Sequence, residues 1–281
     1  AFVAIILALV ITINMICFGP MASLISLATG NGTITEETST EATALCTEIA
    51  NEGIVLLKNE SLLPIASDSN LNVFGWASTN PCYGGTGSGS LSDAYETVSL
   101  LQGLEGAGYI LNTALSDFYT TYRADRPEVG MWSQDWTLPE PTADAYTDEM
   151  MTQAKDFSDT AMVVISRVGG EGADLPTDVS KVTYTDNSTA YKDFEAGEHY
   201  LQLTQSEKNM LDLVCENFEK VVLVYNGANA MELGFLNEYS QIKSAIWCPG
   251  AGQSGFTALG NIVAGEINPS GKTSDTFVAD L

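Results

Sequence analysis

From Leu71 to Ala264, short unbroken apolar runs alternate with amphipathic helical segments, and this rhythm constrains the fold more than any other feature of the chain. Ala161-Met162-Val163-Val164-Ile165-Ser166 and Val221-Val222-Leu223-Val224-Tyr225 show no polar alternation. Strands of that kind must be covered on both faces, as parallel strands in α/β proteins are. Leu71–Trp76, Tyr109–Leu111 and Ala245–Trp247 read as further strands from their β-branched and aromatic content and their flanks. Helices are expected over Thr43–Asn51, Asp93–Ala107 and Asp148–Phe157, and over Thr257–Ala264 before Gly265. Val98, Leu101 and Leu104 lie at helical spacing, with Gly108 where a C-terminal cap belongs. Thr204-Gln205-Ser206-Glu207 matches a capping box, and the helix it opens carries Met210, Leu211, Val214 and Phe218 on one side. The alternation predicts an α/β fold, an open and mostly parallel sheet sandwiched by helices. In such folds ligands bind at the loops beyond the carboxyl ends of the strands.

The N-terminus breaks this pattern. From Ala1 to Phe18 the only polar side chains are Thr12 and Asn14. As a helix this run would span about 25–27 Å, a little short of a ~30 Å hydrocarbon core. Apolar residues resume at Met21–Ala28 after Gly19-Pro20, so a kinked span would be long enough. A membrane anchor placing the chain on the extracellular face, a cleaved signal peptide and a core helix are the available readings. The last is the weakest, because a soluble helix rarely lacks a polar face for so long. Residues 1–28 are therefore expected to form an anchor or signal segment preceding the sheet, residues 29–41 a linker, and residues 42–281 one domain. Arg123–Thr147, rich in Pro, Asp and Trp, reads as an insertion or long loop.

Charge and rare residues exclude several functions. Eleven Lys and Arg stand against 36 Asp and Glu, a formal net charge of -25 that repels phosphate backbones and anionic lipid, so no nucleic-acid partner is expected. A neutral sugar is compatible with that field. The five cysteines form no C-x-x-C pair and His199 is the single histidine, so neither a metal site nor a disulfide framework is expected. A lone Cys46–Cys82 or Cys215–Cys248 bridge stays open. No G-x-S-x-G elbow accompanies His199, which argues against a serine hydrolase. Tyr83-Gly84-Gly85-Thr86-Gly87-Ser88-Gly89 lacks both the dinucleotide fingerprint and a phosphate-binding lysine. It fits close backbone approach to a substrate or partner domain, and no cofactor is expected.

Just past Ala161–Ser166 comes Arg167-Val168-Gly169-Gly170-Glu171-Gly172-Ala173-Asp174. Glycine costs backbone entropy, so a glutamate set among glycines suits reach rather than stability. Arg167 and Asp174 stand near enough in sequence to orient Glu171 or tune its charge. A solvated turn glutamate is the plain alternative.

Taken in order, several segments resemble the second, sandwich domain of family 3 glycoside hydrolases. They are Ile49–Asn59 with Leu62-Leu63-Pro64, the loop Gly84–Gly89, Ser166–Asp174 (similar to the family's S-R-x-S-G-E-G-x-D), Trp247-Cys248-Pro249-Gly250, and Asn268–Lys272 through Phe277. The resemblance implies β-glucosidase-like, retaining hydrolysis of O-glycosyl bonds with Glu171 as general acid/base. It also implies Arg167, Asp174, Gly85 and Gly87 at the substrate, and a β-linked oligosaccharide or glucoside as that substrate. The nucleophilic Asp would come from a (β/α)8 barrel absent from this chain, in a permuted order with the sandwich first, so the fragment alone should be inactive. Gly169 and Leu175 depart from the family's Ser and Arg, which bears on substrate choice. Ser133-Gln134-Asp135-Trp136 is similar to the barrel's S-D-W only by coincidence. A non-catalytic carbohydrate-binding or scaffold domain of the same fold is the alternative.

Overall fold

The structure, a computed structural model, describes residues 2–19, 34–85, 91, 95–122, 136, 138–172, 174–182 and 195–281. The chain divides into two compact units, Ala1–Ala42 and Thr43–Leu281.

In the first unit, helix α1 runs Phe2–Phe18 with none of its residues buried. Among the described residues, no helix is long and apolar enough to cross a membrane. The expected continuation through Met21–Ala28 lies outside the described residues. Helix α2, Glu36–Gly53, begins inside the segment expected as a linker. Glu36 and Glu37 in its first turn favour an early start, because acidic side chains offset the positive end of the helix dipole.

In the second unit the strands are β1 (Val55–Asn59), β2 (Asn70–Phe74), β3 (Ile110–Leu111), β4 (Thr160–Arg167), β5 (Lys220–Gly227) and β6 (Ile242–Cys248). They form a six-stranded sheet in the order β1-β6-β5-β4-β2-β3. All neighbours pair parallel except β1, which runs antiparallel to β6. The helices are α3 (Leu100–Gly106), α4 (Thr113–Thr121), α5 (Asp148–Phe157), α6 (Gln205–Asn217) and α7 (Gly255–Ala264).

The unbroken apolar strands serve two cores at once. Ala161, Val163 and Ile165 of β4 and Val221, Leu223 and Tyr225 of β5 pack with Leu115, Met151 and Met210 of α4, α5 and α6. Met162, Val164, Val222 and Val224 face the other way, toward Leu100 and Leu104 of α3 and Phe256, Leu259 and Val263 of α7. Burial on both faces, at ~25 cal/mol per Å2 of apolar surface, explains why these strands carry no polar alternation.

One helix starts where the sequence places it and another does not. The capping box at Thr204 is fully formed, with the Thr204 hydroxyl accepting from Glu207 N–H and the Glu207 carboxylate from Thr204 N–H. The helix expected from Asp93, however, starts only at Leu100, where Ser99 and Gln102 make a second capping box. Val98 is outside the helix because its N–H is spent on Gln253 O at 2.7 Å. Trp76, expected to end a strand, instead enters a 3-10 turn after Gly75. Gly75 has φ +98, and a side chain there would meet Val164 O at 2.3 Å.

Candidate active site

The connections out of β2 and β4 part between these neighbouring strands. β2 crosses to β3 through α3 on one face, whereas β4 crosses to β5 through α6 on the opposite face. Adjacent parallel strands whose connections part in this way open a cleft at their carboxyl edge, the usual ligand position of such sheets.

Glu171 sits at that edge. It is exposed, in a turn four residues beyond the end of β4, and Gly172 after it has φ +70, which makes the turn tight without strain. Asp174, three residues on, is also exposed. Gly85 reaches the same place from the loop after β2: a methyl group added to it would lie 3.3 Å from Gly169 O and 3.5 Å from Gly170 Cα. The two glycine-rich loops found separately in the sequence thus touch backbone to backbone at the foot of the Glu171 turn. Gly87 lies outside the described residues.

Arg167 is placed otherwise than expected. Its side chain is fully buried. Nη1 and Nη2 each lie 2.8 Å from a Glu207 carboxylate oxygen. Nε donates to Tyr200 O at 2.6 Å, Nη1 to Ser166 O at 3.0 Å and Nη2 to Gln202 O at 2.5 Å. Its guanidinium carbon also lies 5.6 Å from the centre of the Tyr200 ring. Burial disfavours the charged guanidinium, but the Glu207 carboxylate outweighs it and holds the pKa above the usual arginine value. The group expected beside substrate is thus enclosed and paired with Glu207. Arg167 instead bolts the end of β4 to the start of α6.

Part of the segment expected as an insertion packs against the turn that follows β2. Glu140 is buried, and its Oε2 accepts the Trp76 N–H at 2.8 Å. Tyr146 donates to its other oxygen, and the Tyr146 and Tyr119 hydroxyls are 2.8 Å apart. Burial first, and the Glu140 charge second, push both hydroxyls well above the usual tyrosine range, so they stay protonated as donors. Trp136 and Leu138 pack with Val179 and Tyr200 in a small cluster, with Leu175 and Val182 against it. His199 lies in the loop before the capping box, with Nε2 2.9 Å from Glu232 Oε1. All five cysteines are free, and Cys82, Cys215 and Cys248 are buried, so neither bridge left open by the sequence forms.

The family model of the glycosyl hydrolase family 3 C-terminal domain matches residues 54–281. The chain belongs to this family. It is 33% identical over 252 residues to β-glucosidase A of Butyrivibrio fibrisolvens, covering 84% of this chain and 29% of that protein. It is 31% identical over 237 residues to a β-glucosidase of Ruminococcus albus, covering 83% of this chain and 23% of that protein. Among solved structures, a β-glucosidase from Paenibacillus barengoltzii superposes with a TM-score of 0.71 at 28% identity, over 88% of this chain and 25% of that one. β-Glucosidase 3B from Thermotoga neapolitana, solved with glucose, superposes with a TM-score of 0.68 at 25% identity, over 88% and 32%. The chain therefore spans less than a third of the length of these relatives.

Proposed function

We propose that this family 3 domain supplies the general acid/base, Glu171, to a retaining β-glucosidase whose nucleophilic aspartate comes from a (β/α)8 barrel partner. The observation that carries the proposal is the position of Glu171, exposed on a glycine turn at the switch-point edge of the sheet. Retaining hydrolysis needs two carboxyl groups about 5–5.5 Å apart across the glycosidic bond. One attacks the anomeric carbon while the other protonates the leaving oxygen, then takes a proton from the water that releases the sugar. An exposed carboxylate on a loop at a domain edge can approach a nucleophile on a neighbouring domain, as a buried one cannot. The substrate is a β-glucoside or β-linked oligosaccharide, with Asp174 and the Gly85 backbone beside it. The N-terminal segment acts as a membrane anchor, with the domain on the extracellular face, or as an export signal; fractionation of cells into soluble, membrane and secreted material tests this.

The test of the site is Glu171→Ala in the enzyme that joins this domain to its barrel. Hydrolysis should slow by roughly a hundred- to ten-thousand-fold for poor leaving groups, which need protonation. Activated aryl glucosides should still form the glycosyl-enzyme, and azide should speed its breakdown because it needs no general base. Wild-type rates on every substrate would overturn the assignment, and would favour a carbohydrate-binding or scaffold role. The isolated chain should show no turnover, since half of the carboxylate pair is missing.

A further inference from the structure

One buried side chain ties together the loops at this edge of the sheet. Asn226, next to last in β5, is fully buried. Its backbone lies level with Ser166 of β4 and Cys248 of β6. Its side-chain amide reaches across the carboxyl edge of the sheet. Nδ2 lies 3.1 Å from Cys82 O, 3.1 Å from Cys248 O and 3.2 Å from Pro249 O, while Oδ1 accepts the Cys82 N–H at 2.6 Å. The Ser166 hydroxyl is 3.5 Å from the same oxygen. The amide and the Cys82 peptide thus pair in both directions, as two strands would. Cys82, eight residues past the end of β2, is tied by this pair to a strand that is not the neighbour of β2.

The tie is passed on along the loop. Tyr83 O accepts the Gly252 N–H at 2.6 Å, and Cys82 O accepts the Ala251 N–H at 3.3 Å, so the loop after β6 is fastened to the loop after β2. Two residues beyond Tyr83, Gly85 rests against Gly169 and Gly170, the backbone from which Glu171 springs.

We propose that Asn226 is a positioning residue for the acid/base: its amide fixes the loops after β2 and β6 to the end of β5, and through Gly85 sets the backbone beneath Glu171. This rests on Glu171 being the acid/base. A buried amide suits the task because it offers two N–H donors and an acceptor and carries no charge. Aspartate would keep the acceptor for Cys82 N–H but turn a carboxylate on the carbonyl oxygens of Cys82, Cys248 and Pro249. Alanine would take the acceptor from the Cys82 N–H and this donor from the carbonyls of Cys82, Cys248 and Pro249, of which Cys82 O would keep the Ala251 N–H.

The test is a leaving-group series on Asn226→Ala, Asn226→Asp, Glu171→Ala and the double variant Asn226→Ala/Glu171→Ala, in the enzyme carrying domain and barrel. A displaced catalytic group costs on the order of a hundredfold. Both Asn226 variants should therefore lose ~10–100-fold in kcat on poor leaving groups, much less on activated ones, with KM little changed. Adding Asn226→Ala to Glu171→Ala should cost almost nothing further on poor leaving groups, because the residue acts through Glu171. Should the Asn226 variants fail to fold, Gly85→Ala reads the same path, since its methyl presses on Gly169 O at 3.3 Å. It should give the same selectivity in milder form. In the isolated chain, Asn226→Ala should speed hydrogen exchange at the Cys82 and Gly252 amides while the β4 and β5 amides stay protected. If Glu171→Ala shows the selective loss but the Asn226 and Gly85 variants lose activity evenly, or add fully to Glu171→Ala, the positioning proposal is overturned. Wild-type kinetics for Glu171→Ala would instead overturn the reading beneath it.

Discussion

Replacing Arg167 by methionine tests whether the end of β4 is held by a buried charge pair. The guanidinium is fully buried and the Glu207 side chain only 6% exposed, so neither charge has solvent to fall back on. Methionine fills much of the same volume, which separates charge from packing. It leaves the Glu207 carboxylate with the Thr204 N–H, and it strips a donor from the carbonyls of Ser166, Tyr200 and Gln202. Breaking a buried pair by removing one partner costs about 3–5 kcal/mol. At ~2–4 °C per kcal/mol for a unit of this size, the melting midpoint should fall by ~6–20 °C. Circular dichroism melts and urea titrations at neutral pH measure it. The double variant Arg167→Met/Glu207→Met removes the stranded charge and should regain most of the loss. A remainder of ~1 kcal/mol is expected from the broken capping box. A single-variant loss under ~1 kcal/mol, or a double variant no more stable than the single, would refute the argument, since a stranded buried charge could then not be the cause.

Two further outcomes follow from the coordinates. Gly103→Ala should destabilise by ~1–3 kcal/mol or more, because a Cβ there would meet Phe256 O at 2.2 Å and force α3 from α7; an unchanged urea midpoint would contradict that close approach. Asp178 should titrate at about 2 rather than its ordinary 3.8, because Lys181 at 2.7 Å, then Ser180, favour its charged form. A depressed carboxyl pKa stabilises the fold above pH ~4 and loses that stabilisation as pH falls toward 2. An NMR titration of the Asp178 carboxyl checks this, and Lys181→Met should move the midpoint up; a wild-type midpoint at or above 3.8 would contradict the pairing.

Much of the fold was legible in the sequence because periodicity reports burial. β4 and β5 read as doubly covered strands and are so, and the Thr204–Glu207 capping box is a local motif whose partners lie three residues apart. What stayed hidden depends on partners distant in sequence. Val98 looks helical by spacing, yet its N–H is held by Gln253, and no local pattern announces that bond. Arg167 looked like a site residue because it stands four positions from Glu171. Arg167 is the last residue of β4 and its direction is set by the strand and by Glu207, whereas Glu171 lies in the turn beyond, so nearness in sequence says little about shared direction.

The same distinction explains why Glu171, the proposed acid/base, could be read from the sequence and Asn226, proposed to position it, could not. A catalytic carboxylate must be presented to something outside its own domain, and presentation leaves a local mark: a strand end, glycines, a charged residue no core would want. The residue that holds the presenting loop leaves none. Asn226 reads as one more polar residue at the end of an apolar strand, and its partners Cys82 and Pro249 are 144 and 23 residues away. A polar side chain closing a doubly covered strand is itself the one available signal, because burying it is costly unless every donor and acceptor is satisfied. Ser166 closes β4 in the same way and is the residue whose hydroxyl turns toward Asn226 Oδ1. Polar residues at the carboxyl ends of adjacent buried strands, at the edge where sheets of this kind bind ligands, therefore point to the groups proposed to hold the site in place, as the glycines around Glu171 point to the group proposed to act.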